Sequence, residues 1–298
     1  MTSIPPTRET HGKARKLWLL LAKALHKQKC QQDLNMVSVR RVDHFGLVDM
    51  KPLIEQQEGA WYLYSIKFKR SGQEECFHAK ICHVEINLTA NQLMGFNNTG
   101  NICVWPSEEV LSYYCLHNSY LFNNKTILEL GGGMTCLAGI LIAKYLSPHY
   151  VLVTDGNVTS VDNVVRIIQA NQVTVDCSVL KWGSCSNHHV DYFDIILAAD
   201  CLFFDETRND FVSTIVHCLS ESGIGLITAP RRGKTLDLFV QCAKSAGLYT
   251  LVLQCYNEGV WAQHCSLKMD NPQYDEGIHY PLLIVVSKST SSLLPFQI

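Results

Sequence analysis

The sequence predicts an α/β fold, a mainly parallel sheet with helices on both faces, preceded by a small β-rich extension. Three observations predict it. Thr126-Ile127-Leu128-Glu129-Leu130-Gly131-Gly132-Gly133-Met134-Thr135 is an apolar run closed by an acid, then glycines, then a helix-like segment. That is the pattern of a strand passing through a tight turn into a helix. Val151-Leu152-Val153-Thr154-Asp155 repeats the strand-then-acid pattern one strand–helix–strand unit later, and Tyr192–Asp200 repeats it again. From there to the end, short apolar runs alternate with helical periodicity, which marks parallel strands buried on both faces.

The elements follow in order. Residues 1–12 are polar and proline-containing and are expected to be disordered. Residues 13–35 hold a basic amphipathic helix over 13–29, with Ala14, Leu17, Trp18, Leu21 and Leu25 on one face and lysines and an arginine around it. Such a helix suits docking on its own domain; a membrane surface, calmodulin or an import receptor are the other uses of the pattern. Residues 36–99 alternate apolar and polar side chains at Val37, Val39 and Val42, over Trp61–Phe68 and over Phe77–Ile86, which predicts short antiparallel strands. Gly100 and Pro106 open the main domain, residues 100–290, with a helix starting after Trp105. Within it the pattern predicts strands at 127–130, 151–155, 176–180, 192–200, 225–229, 249–253 and 280–286. Helices are expected at 136–145, 158–171, 208–219 and 235–246.

Composition narrows the function. The 298 residues are 47% hydrophobic and 17% charged, with a net charge of −2. Nonspecific nucleic-acid binding is disfavoured, because there is no basic excess to release counterions. No apolar run is long enough to span a bilayer, and Leu17–Ala22 is interrupted by Lys23 with no cleavage-site pattern after it. Thirteen cysteines without a C-x-x-C pair fit a reducing compartment, where thiols serve as small buried hydrophobes. Thiol usage and the missing signals predict the cytoplasm or the nucleus. Cys185 and His188-His189 match no zinc spacing, and no metal is expected.

The glycine turn and its acids point to a ligand at the carboxyl ends of the strands. An acid at Asp155 suits two ribose hydroxyls, although Asp also favours the N-cap of a following helix. A dinucleotide fingerprint would need a small residue where Cys136 stands. Glu129 before the glycines would repel a pyrophosphate but complements a cationic ligand. Together these residues favour S-adenosylmethionine over NAD.

Several stretches then resemble the calmodulin-lysine N-methyltransferases, a family of seven-strand S-adenosylmethionine-dependent protein-lysine methyltransferases. They are Asn98–Leu111 with its V-W-P-S segment, Glu129–Gly139, Thr154-Asp155-Gly156-Asn157, Ala199-Asp200-Cys201-Leu202-Phe203, Ala229–Thr235 and His279–Leu283. The resemblance runs in order over residues 36–288, with Asn171–Asp176 shorter and Tyr256–Gln273 divergent. It implies a Rossmann-like class I methyltransferase sheet of seven strands, the last inserted antiparallel. It also implies a cofactor site made of Trp105, Glu129, Gly131, Gly132, Gly133, Asp155, Trp182 and Ala199. In related enzymes the tryptophan at the Trp105 position closes over the cofactor; Trp182, after the third strand, is expected to offer its indole to adenine, with a core aromatic as the other reading.

Asp200 and Phe203 are the expected catalytic pair. The family carries an acid followed three residues later by an aromatic, commonly tyrosine; here that residue is phenylalanine, so no hydroxyl is available. Asp200 is expected to position the lysine nitrogen and Phe203 to wall an apolar lysine channel. The N/D-P-P-Y/F segment of nucleobase amine methylation is absent. Calmodulin, an acidic protein, is the implied substrate, and Arg231, Arg232 and Lys234 after the fifth strand are the first candidates for docking it, with Arg40 and Arg41 second. A lysine methyltransferase acting on another protein and a non-catalytic cofactor-fold module are the rival readings.

Overall fold

The computed structural model describes residues 44–54, 59–83, 104–184, 189–202 and 205–297. The expected disordered start, the basic helix, the strand residues Val37–Val42, Arg40, Arg41 and Phe203 lie outside these residues.

A seven-stranded sheet forms the centre. Its strands are β4 (Thr126–Glu129), β5 (Tyr150–Asp155), β6 (Asp176–Val179), β7 (Phe193–Ala199), β8 (Leu219–Ala229), β9 (Tyr249–Leu253) and β10 (Leu282–Ser287), in the order β6-β5-β4-β7-β8-β10-β9. β10 runs antiparallel to β8 and β9, with Ile284 opposite both Ile227 and Val252. The β4–β5, β5–β6, β4–β7 and β7–β8 pairs are parallel. This is the Rossmann-like seven-strand arrangement the sequence predicts. Side chains of β4, β7 and β10 are buried almost throughout because helices cover both faces.

The helices are α1 (Pro106–His117), α2 (Leu137–Tyr145), α3 (Val158–Asn171), α4 (Arg208–Cys218), α5 (Thr235–Ser245), α6 (Glu258–Asp270) and a single turn α7 (Glu276–His279). One expected strand is lengthened, and the helix α6 is added. β8 starts at Leu219, six residues before the predicted Gly225, through a polar stretch that pairs irregularly with β7. α6, in a region that shows no clear periodicity, buries only Val260 and His264 fully.

Ahead of this sheet, β1 (Val48–Pro52), β2 (Ala60–Arg70) and β3 (Gln73–His83) form the small antiparallel sheet. Tyr64, Ile66, Phe68, Phe77, Ala79 and Ile81 share one face, as the register Tyr64↔Ala79 requires. Phe68 and Phe77 stack at 5.3 Å, and Phe77 meets Tyr145 of α2 edge-on at 5.1 Å. Among the described residues the outer edge of β3 has no neighbouring strand, and side chains of α2 and α3 take its place. Tyr145 Oη accepts from His78 N at 2.8 Å and donates to His78 O at 2.9 Å. Asn171 accepts from Lys80 N at 2.9 Å and donates to Lys80 O at 2.7 Å. Asn163 donates to Cys82 O at 2.9 Å. The two-residue spacing matches the strand repeat, so an otherwise unpaired edge is satisfied. Among the described residues, no helix is long and apolar enough to cross a membrane.

Candidate active site

The sheet order reverses beside β4: β5 lies on one side of it and β7 on the other. Ligands of open α/β sheets bind outside the strand ends at such a reversal. Glu129 ends β4, Asp155 ends β5 and Asp200 follows β7, so three neighbouring strands each deliver an acid to that edge.

The turn after β4 needs its glycines. Gly131 and Gly133 have φ of 63° and 64°, in the left-handed region. A Cβ on Gly131 would come within 2.9 Å of Trp182 Cζ2 and 3.0 Å of Cys201 Sγ. A Cβ on Gly132 would meet Cys136 Sγ at 2.5 Å. Gly132 N donates to Thr154 O at 3.0 Å and Gly133 N to Asp155 Oδ2 at 3.0 Å, which lash the turn to β5. Asp155 Oδ1 accepts from Asn157 N at 2.8 Å. The N-cap of α3 is Asn157, which accepts from Thr159 N, so Asp155 is not the capping acid. Burial pushes the Asp155 carboxyl up, against the pull of these hydrogen bonds.

Two acids lie beneath the turn. Glu129 is buried; its Oε2 accepts from Gly139 N at 2.8 Å, while its Oε1 has no hydrogen-bond partner among the described residues. Burial, then the nearby Glu108 carboxyl, push Glu129 up to about 8. Glu108 is a residue that sequence reasoning missed. It accepts from Thr135 Oγ1 and from Leu137 N at 3.0 Å, and so caps α2, whose N-cap residue Cys136 offers no side-chain bond. A bond from the Trp105 backbone adds the reach-back of a capping box to its own helix. Burial raises Glu108 to about 7 against these bonds. The signal was present as an acid three residues after an N-cap, but its link to α2 is tertiary.

The remaining expected residues fall around the same edge. Trp105 is the half-buried N-cap residue of α1, with Pro106 at the first helical position. Trp182 stands beside the glycine turn and packs on Phe211 at 4.5 Å between ring centroids. Ala199 closes β7, and its carbonyl lies 3.3 Å from Cys201 Sγ. Cys201 fills the space between the turn and Asp200, a place no motif predicts.

Asp200 is buried, with φ of 57°. Left-handed backbone costs a non-glycine residue of order 1–3 kcal/mol. Asp200 N donates to Thr228 O at 2.8 Å. Both carboxylate oxygens are engaged: Arg232 Nη1 reaches Oδ1 at 2.7 Å and Nη2 reaches Oδ2 at 2.8 Å. Arg232 therefore departs from its expected place on a docking surface, because a buried carboxylate draws the guanidinium inward. Arg231 and Lys234 remain exposed, with Arg231 3.6 Å from Asp237.

S-adenosylmethionine is the cofactor, and the residues present fit it. Bare glycine backbone lines the turn, and Glu129 Oε1 is a buried carboxylate oxygen without a partner among the described residues, as a cationic ligand requires.

Residues 85–246 match the model of the lysine methyltransferase family. A calmodulin-lysine N-methyltransferase of Arabidopsis thaliana is 30% identical over 292 residues, which is 91% of this chain and 95% of that protein. The protein N-lysine methyltransferase METTL21A of Xenopus tropicalis is 29% identical over 148 residues, 47% of this chain and 66% of that one. The protein-lysine N-methyltransferase EFM3 of Chaetomium thermophilum is 25% identical over 205 residues, 64% of this chain and 59% of that one. With an acid-lined glycine turn at the sheet reversal and a family match over more than half its length, the chain belongs to the lysine methyltransferases.

Proposed function

We propose that this chain transfers methyl groups from S-adenosylmethionine to a lysine of calmodulin. The observation that carries this reading is the similarity to a calmodulin-lysine N-methyltransferase along nearly the whole of both chains. Arg231 and Lys234 support it, since they are exposed on the cofactor edge and suit an acidic partner.

The bound cofactor supplies an electrophilic methyl group on a sulfonium. Glu129 would hold its ammonium end, Asp155 its ribose and Trp182 its adenine; such a ring contact is worth about 0.5–1.5 kcal/mol beyond area burial. Trp105, the Gly131–Gly133 backbone and Ala199 would complete its site. Asp200 would position the target nitrogen. A protonated amine has no lone pair, so the proton leaves first, and burial of the lysine favours its loss. Alignment of nitrogen, methyl and sulfur supplies most of the rate.

Purified protein with labelled cofactor is expected to label calmodulin, with Asp200→Ala lowering the rate roughly 100-fold. Unchanged labelling in that variant removes Asp200 from the mechanism. The matches to METTL21A and EFM3 favour a second reading, methylation of another protein's lysine; labelling of a lysate protein but not of calmodulin selects it.

A further inference from the structure

The cofactor edge carries an ion pair whose two members both hold left-handed backbone: Asp200 after β7 and Arg232, with φ of 38°, after β8. The guanidinium forks across both carboxylate oxygens. Arg232 is itself fastened, since its backbone N–H donates to Gly277 O of α7 at 2.7 Å. The planar fork leaves little freedom at either end.

The chemistry makes a demand that Asp200 by itself would oppose. A bare buried carboxylate beside the methyl donor would hold the target lysine as its ammonium, which cannot attack. A guanidinium spanning both oxygens cancels most of that charge while leaving carboxylate lone pairs to accept an N–H from the amine. We infer that Arg232 is a positioning residue that neutralises Asp200, so that the lysine is seated as the free amine. This rests on the reading of Asp200 given above.

Among the described residues, the charged and titratable groups recorded against Asp200 are few. Burial raises the Asp200 carboxyl on balance, and Arg232, coming from the β8 side, opposes the rise. The Cys201 thiol, next in the chain, is raised well above its ordinary range by burial and then by Asp200, and so stays neutral. Arg231 is turned to Asp237. In the reaction the ammonium proton passes to solvent. The nitrogen lone pair then forms the N–C bond as the C–S bond breaks, and the bonding pair leaves on sulfur.

The test compares the full-length protein with Arg232→Gln, Arg232→Lys and Asp200→Asn. Single-turnover methylation of calmodulin is followed from pH 6 to 10, and the Asp200 carboxyl is followed by carbon NMR of aspartate-labelled protein without substrate. In Arg232→Gln the rising limb of the rate profile is expected to move up by about one pH unit, with a loss of roughly tenfold at pH 7.5 that recovers by pH 9.5. The Asp200 signal should titrate at higher pH in the same variant. Arg232→Lys keeps the charge and loses the fork, so its limb should stay in place at a lower rate. An equal loss at every pH in Arg232→Gln, or an Asp200 signal that does not move, overturns the inference. Calorimetric binding of S-adenosylmethionine reports folding. If Arg232→Gln does not fold, Arg232→Lys decides, and an unaltered rate or a displaced limb overturns the inference. If Asp200→Asn is as fast as the parent, the reading of Asp200 has failed. If it is slow while the Arg232→Gln profile is unmoved, only the inference has failed.

Discussion

Glu129 lies against Gly139. Its Oε2 accepts the Gly139 N–H at 2.8 Å, and a Cβ on Gly139 would stand 2.7 Å from that oxygen and 2.4 Å from Val153 Cγ1. The first turn of α2 is thus pressed onto the acid at the end of β4, and only a glycine permits it. The Gly139→Ala variant is expected to push Glu129 out of place, lowering stability by about 1–3 kcal/mol and weakening S-adenosylmethionine binding. Urea unfolding and calorimetry check both; unchanged affinity would mean that Glu129 does not meet the cofactor.

Glu129 at about 8 and Glu108 at about 7 both sit above their ordinary 4.5 in the folded chain. Raised acids contribute stability that is full below about pH 4.5 and is lost as pH climbs through 7 to 8, because the unfolded chain has already shed those protons. The melting temperature should therefore fall between pH 5 and pH 8. Glu129→Gln should flatten that fall, with a shift at pH 8 of about 2–4 °C per kcal/mol recovered. Thermal scans across pH read the difference.

A cation beside Glu129 favours its ionised form, so binding of S-adenosylmethionine should release a fraction of a proton near pH 7.5. Calorimetry in buffers of different ionisation enthalpy measures it. Release that persists undiminished in Glu129→Gln would assign the proton to another group.

Asn163 donates to Cys82 O and to Met134 O, both at 2.9 Å, and so joins the small sheet to the cofactor turn. Asn163→Ala leaves two buried carbonyls without that donor, and the expected loss is about 1–3 kcal/mol. Faster hydrogen exchange should appear together in β3 and in residues 131–136. Exchange confined to one of them would show that the strut does not couple the two.

Glu109 gathers three backbone donors. Its Oε2 accepts from Phe45 N at 2.7 Å, and its Oε1 accepts from Leu47 N and from Val48 N at 2.8 Å. Burial raises Glu109, and these bonds oppose the rise. Glu109→Ala should free residues 45–48 to exchange and to proteolysis, while the seven-stranded sheet keeps its protection.

The central sheet was legible because its strands are short, apolar and closed by acids or glycines, a pattern set by burial on both faces. The edges were less so. β1 is nearly all exposed, so the apolar–polar alternation of Val48–Lys51 marks no buried face. The polar start of β8 is strand because it pairs beside β7, not because of its composition. α6 shows no strong apolar face because most of its side chains are only partly covered.

By itself the sequence determined the strand–turn–helix units, the glycine turn, the three acids at strand ends and the family resemblance, since each is written in residues close together along the chain. Only the tertiary structure decided which distant groups answer those acids. Glu108 reaches the start of α2 from the helix before it, Asn163 ties the small sheet to the cofactor turn, and Arg232 closes on Asp200 from 32 residues away. Burial makes an acid select the nearest donor or cation in space, and nearness in space is a property of the folded chain.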